Sequence, residues 1–315
     1  MNDALRLLAR LFRRYGYDIK RHNEYNLLPI ANIDKLNQLY GLYKKPAHDI
    51  NKTDSDINRL FVCLRTCLRN DSGKTRPPNV PGCSNSELVF GCIRSLIRSI
   101  NQAIDNNIDV NITLVVFDDH SGHDYKTSIE NICGEVKCES EIRTTRKQGQ
   151  GESLLEQFEF ARQHNALFYF CEDDYLHEAS AVSEMCLFYR QIFEICKTHS
   201  VIHPQEHDFL YSRHIYPSYV LLGEKRHWRT ISHATHTLFL HSTLVADHWE
   251  YFENTRFVGD RKKRRLGVES RTTNHLFNHY PGFAPIPALA AHMQTQQSLP
   301  PFFNWQSLWE INKPE

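Results

Sequence analysis

Residues 165–176 constrain this chain more than any other stretch. Six largely apolar residues, rich in aromatics, run directly into three consecutive acids, Glu172, Asp173 and Asp174. A continuous apolar run of that length reads as a strand buried on both faces, which implies a sheet covered by helices on each side. Three adjacent carboxylates repel one another unless a cation or hydrogen-bond donors neutralise them. The carboxyl end of a strand in an open α/β sheet is also where ligands bind. The alternative is an acidic turn leading into a helix, with Asp174 or Glu178 complementing the helix dipole.

The rest of the chain supports the sheet. Residues 59–65 and 110–117 are two further apolar strands, and 141–145 reads as a short one. Between them, 86–101 carries apolar residues at helical spacing with Ser86 as its expected N-cap, and 125–132 and 151–164 read as helices. A long amphipathic helix is expected over 179–198. Strands alternating with helices at this spacing imply βαβ units and a mainly parallel sheet. Beyond 198 the pattern breaks into short strands and loops dense in histidine and aromatics. The expected organisation is an N-terminal lead-in over 1–57 and one sheet domain over 58–315. Its first half would run over 58–185 and its second over 186–315.

Composition narrows the function classes. The 315 residues carry 37 Lys+Arg against 37 Asp+Glu, so no overall charge argues for nucleic acid. The basic run at 261–265 reads as a solvated or phosphate-facing loop. No stretch approaches the ~20 apolar residues of a membrane span, and Arg6 and Arg10 interrupt what would be a secretory signal. Residues 4–15 do form an amphipathic pattern, with arginines opposite an apolar face. Such a helix can lie on an anionic membrane surface or pack on the protein body. The expected location is cytoplasmic, peripheral to a membrane if that helix binds one. Nine cysteines, an odd number scattered through strands and helices, fit reduced thiols. Neither Cys63 with Cys67 nor Cys133 with Cys138 has the close pairing of a zinc ribbon.

Two acid clusters end apolar strands about one βαβ unit apart, so they belong side by side at one sheet edge. Asp118 and Asp119, with Ser121, can accept hydrogen bonds from sugar hydroxyls or a base N–H. Asp174 can coordinate a hard divalent cation bridging phosphate oxygens. Arg65, ending the first strand, would face the same crevice and could reach the nucleotide. No Walker loop is present.

With these residues in hand, a family resemblance emerges. The segment 115–124, with Asp118-Asp119-His120-Ser121, resembles the Asp-Asp-x-Ser element of family 2 glycosyltransferases of the GT-A fold. Glu172-Asp173-Asp174 resembles their Asp-x-Asp element. Residues 149–162, including Gly151, resemble the glycine-plus-helix segment between the two. The resemblance covers roughly 59–185. It departs where the first strand leads into Leu64-Arg65-Thr66-Cys67 rather than a proline–tyrosine turn, and at His120, often glycine.

The resemblance implies an inverting, metal-dependent transfer of a sugar from a nucleotide-diphosphate donor to a glycan or lipid-linked acceptor. It places Asp119 on the nucleoside, Asp173 near ribose or sugar with Glu172 beside it, and Mn²⁺ or Mg²⁺ on Asp174. His292 is a candidate second metal ligand by the same likeness. Glu269, in a Gly-Val-Glu segment opening a helix, resembles the family's catalytic base, and Asp260 competes for that role. Arg226 and Arg229 open a segment, 226–236, crowded with cations, imidazoles and hydroxyls, and could bind donor diphosphate or acceptor. Two other readings compete. A sugar-phosphate nucleotidyltransferase shares a similar sheet, yet 64–70 lacks its glycine- and arginine-rich loop. A catalytically inert GT-A-like protein recruited to membranes would not need intact acid clusters.

Overall fold

A computed structural model of the chain describes residues 8, 12, 27–29, 55–69, 80, 82–206, 218–223, 225–260 and 262–314. The amphipathic helix expected over 4–15 lies outside the described residues apart from two isolated positions.

The chain is α/β. Twelve strands are described: β1 Leu27–Pro29, β2 Arg59–Thr66, β3 Asn111–Asp118, β4 Glu139–Thr144, β5 Leu167–Glu172, β6 Tyr175–His177, β7 Val201–Ile202, β8 Val220–Leu222, β9 His227–Ile231, β10 Leu238–His241, β11 Gly282–Ile286 and β12 Ala290–His292. Ten of them form one sheet in the order β1-β8-β9-β11-β7-β10-β5-β2-β3-β4. The β5-β2-β3-β4 part is parallel throughout. Antiparallel β10 joins it to a mixed second half, in which β7 and β11 run parallel to each other. One sheet therefore crosses both halves of the chain, and β1, from the lead-in, pairs in parallel with β8.

Helices cover both faces. α1 Asn85–Asp105, α2 His123–Cys133 and α4 Ala181–Cys196 lie on one side, α3 Gln150–Ala161 on the other. Burial follows the two-residue period of a strand. Along β2, Leu60, Val62 and Leu64 enter the first core, while Phe61 and Cys63 enter the second. In β5, Tyr169 and Cys171 face the first, Phe168 and Phe170 the second. The second core is an aromatic column: Phe61 stacks on Phe168 at 5.1 Å, and Phe158 meets Phe170 edge-on at 4.7 Å. Each fully buried side chain of this kind contributes about 1.5–3 kcal/mol.

The cap of α1 differs from the sequence expectation. Ser84, not Ser86, is its N-cap, accepting from Glu87 N while the Glu87 carboxylate accepts from Ser84 N. That reciprocal box satisfies two orphan donors, and from Ser86 the third residue on is Val89, which has no carboxylate to return the bond.

Candidate active site

The apolar rows of β2 and β5 end in charge. Arg65 continues the row of Phe61 and Cys63, and Glu172 that of Phe168 and Phe170, so both face the second core. They are register partners on adjacent parallel strands. Arg65 Nη2 lies 3.7 Å from Glu172 Oε1, and the arginine is only 2% exposed. Among the described residues its Nε and Nη1 have no hydrogen-bond partner. A buried guanidinium has five donors to satisfy, and one long ion pair satisfies a fraction of them.

Glu172 ends β5, and Asp173 and Asp174 form the two-residue turn into β6, so the acids open a strand rather than a helix. Both aspartates are buried. Asp173 Oδ2 accepts from Cys67 N at 2.9 Å, tying the β5 turn to the loop after β2. Asp174 Oδ2 lies 3.2 Å from His292 Nε2, and Met293 N donates to the Asp174 backbone carbonyl at 2.8 Å. β12 pairs antiparallel with β6, which carries His292 across from Tyr175, and the two rings stack at 4.7 Å. A carboxylate oxygen and an imidazole nitrogen thus converge from positions 118 residues apart. A carboxylate and an imidazole are both ligand types that divalent metal ions accept.

After β3, Asp118 acts as a scaffold. Its carboxylate accepts from Thr66 Oγ1 at 3.1 Å and from Ser121 N at 3.1 Å. Ser121 Oγ in turn accepts from Leu68 N at 2.9 Å. These bonds hold the β2 and β3 loops together and leave His120 at a positive φ of 57°. Asp119 Oδ1 accepts from Gly149 N at 2.9 Å and pairs with Arg69 Nη2 at 2.8 Å. Among the described residues every contact of that carboxylate runs through Oδ1, so Oδ2 can accept from a ligand. Cys67 sits within electrostatic reach of Asp119, Arg69, Arg65 and Asp173. Burial, reinforced by Asp119, pushes its thiol up to about 11, so it is no thiolate nucleophile at neutral pH.

The second half adds a histidine that the sequence pointed to only as the end of a polar segment. His236 is buried; its Nδ1 lies 4.0 Å from Glu269 Oε1 and its Nε2 3.4 Å from Thr272 Oγ1. Burial lowers its pKa, the Glu269 and Glu172 carboxylates oppose that, and Arg65 adds to it. His236 thus lies beside Glu269, which is 46% exposed, and feels the charges of Arg65 and Glu172. Thr235 Oγ1 bonds Tyr175 Oη at 2.9 Å, and Asn274 Oδ1 accepts from Ala234 N at 3.0 Å.

Other sequence candidates lie elsewhere. Arg226 is bound to Glu178 at 2.7 Å and Glu184 at 2.8 Å, and also to the carbonyls of Pro287 and Ala288. Arg229, in β9, meets Glu206 at 3.5 Å and Ser218 Oγ at 2.9 Å. Asp260 is exposed and accepts from Lys262 N and Lys263 N, an Asx turn that holds its carboxyl below the usual range. Gly151, at the start of α3, is buried against the backbone of 255–256. A Cβ there would come within 2.4 Å of the Arg256 carbonyl oxygen. Among the described residues no helix is long and apolar enough to cross a membrane, and all nine cysteines are free thiols.

No protein-family model matches the chain, and no curated protein sequence does. Solved structures share its general α/β architecture. TarS of S. aureus is 10% identical, over 72% of this chain and 36% of that one, with a TM-score of 0.40. A UDP-glucose pyrophosphorylase complexed with UDP-glucose is 12% identical, over 80% and 98%, at 0.44. The bifunctional glycosyltransferase WbbM is 12% identical, over 68% and 37%, at 0.36. The chain spans 36% of the length of the TarS chain it matches.

Proposed function

We propose that the crevice at the carboxyl ends of β2, β3 and β5 binds a nucleotide-diphosphate sugar and transfers the sugar, with inversion, to a hydroxyl of a glycan or lipid-linked acceptor. The observation that carries this reading is the buried Arg65 guanidinium with two unpartnered nitrogens between the acid clusters. A buried cation left half-satisfied costs several kcal/mol, which a diphosphate would offset.

Asp119 Oδ2 would take a nucleoside N–H or ribose hydroxyl, held in place by Arg69 and Gly149. Asp174 and His292 would hold Mn²⁺ or Mg²⁺, which neutralises diphosphate charge when bound. The acceptor oxygen attacks the anomeric carbon as the bond from that carbon to the diphosphate oxygen breaks. The acceptor proton passes to the Glu269 carboxylate, and the leaving diphosphate keeps the electron pair beside Arg65. His236, neutral in its buried place, orients Glu269 and separates it from Glu172.

The test is a panel of nucleotide-diphosphate sugars incubated with protein and Mn²⁺, monitored for released nucleoside diphosphate. Release should depend on Mn²⁺ and vanish in Asp174→Asn with the fold intact by circular dichroism. No release from any donor, or full activity in Asp174→Asn, would overturn the reading.

A further inference from the structure

Three histidines meet at the opposite end of the sheet. β10 runs antiparallel to β5, so His241 pairs with Leu167, the first residue of β5. The short helices α5 Ser242–Asp247 and α6 Trp249–Phe252 follow from there, with His248 between them. Gly282, opening β11, pairs with Val201 at the same end, and the 3₁₀ helix Thr273–Asn278 leads into it. That helix contributes His275, and its C-cap contributes His279.

The geometry is that of a ligand set. One ring nitrogen from each of His248, His275 and His279 lies within 4.8 Å of the others. The Nε2 atoms of His275 and His279 are 3.0 Å apart. Zn²⁺–N bonds of about 2.0–2.1 Å arranged tetrahedrally separate two nitrogens by roughly 3.3 Å, so this pair is already at ligating distance. A proton shared between the two nitrogens occupies the place that a cation would take. The rings are also held: Tyr251 stacks on His275 at 3.4 Å, and His248 lies 4.7 Å from the His279 ring.

We propose that His248, His275 and His279 bind one divalent transition ion of the zinc class, with water completing a four-coordinate site. Imidazole suits zinc, and the half-buried setting leaves one position open to solvent. Glu250 places negative charge within reach of both His248 and His275, which favours a dication there. None of this depends on the donor site at the other end of the sheet. An ion here would tie the 3₁₀ helix, whose His275 lies six residues beyond Glu269, to the α5–α6 corner.

The experiment uses the tag-free full chain, stripped with chelator and titrated with Zn²⁺ in excess Mg²⁺. One equivalent should bind, and at a hundredfold excess over Kd the Tm should rise by on the order of 5 °C. Co²⁺ in place of Zn²⁺ should give a visible absorption of tetrahedral intensity, a readout needing no variant. His275→Ala and His279→Gln should each weaken Zn²⁺ binding at least ~10-fold, by analogy with disrupted metal sites, while Asp174→Asn binds as the parent does. No stoichiometric binding, unchanged binding in both histidine variants, or loss confined to Asp174→Asn would overturn the site.

Discussion

Arg65 and Glu172 close the same apolar face of the sheet from neighbouring parallel strands, 3.7 Å apart, with the arginine 2% exposed and two of its nitrogens unpartnered. The buried part of the row that both residues continue is phenylalanine and cysteine. A charge at its end is poorly solvated, so its removal and its ligation have different consequences.

Arg65→Met should therefore weaken binding of a nucleoside diphosphate by about 10–100-fold, the range of one or two charge-assisted hydrogen bonds. Thermal stability should fall as well, because the substitution leaves the nearly buried Glu172 carboxylate without its ion-pair partner. Calorimetric titration alongside a thermal melt measures both. Unchanged affinity would remove Arg65 from the donor site.

Glu269→Gln keeps size and hydrogen bonding but cannot take the acceptor proton. The transfer rate should drop by about 10²–10⁴-fold with donor affinity nearly constant. Asp260→Asn, changing an exposed Asx-turn carboxylate, should transfer at close to the parent rate. Steady-state kinetics on both variants decides between them, and loss confined to Asp260→Asn would transfer the base role to that residue.

Gly151→Ala should destabilise the protein by about 1–3 kcal/mol, as overpacking does, because its Cβ meets the Arg256 carbonyl at 2.4 Å. Urea unfolding measures this. A variant with parental stability and weakened donor binding would instead make Gly151 a ligand contact.

Acid should unfold the protein through its buried histidines. Burial holds His177 and His199 down to about 3 and His241 to about 4. Their folded pKa values lie below the ordinary ~6.5, so their contribution is intact above that pH and is lost as pH falls toward 3–4. Glu206, pushed up to about 8 by burial against the pull of Arg229, works the other way between about 4.5 and 8. These four groups together contribute a slope of about two protons, or ~3 kcal/mol per pH unit between 6.5 and 4.5. Denaturation midpoints across that range measure it. His199→Phe should remove about one proton from the slope; an unchanged slope would exclude His199 as a contributor.

The sequence alone pointed to strands at 59–65 and 110–117 and in the apolar run ahead of Glu172, which the structure places at 59–66, 111–118 and 167–172, because strands buried on both faces must be continuously apolar and their ends are where charge can begin. It determined as well that two acid clusters share one sheet edge, since right-handed crossovers leave little other choice. What only the tertiary structure decided is which partner each charge has. Asp174 meets His292 through the β6–β12 pair, and Glu269 lies beside the buried His236. Arg226, as cationic in sequence as Arg65, is bound by Glu178 and Glu184. Local pattern fixes which face a side chain takes, because backbone periodicity is short-range. Pairing between residues a hundred positions apart depends on how antiparallel strands fold back onto the sheet, and no local window of sequence contains that information.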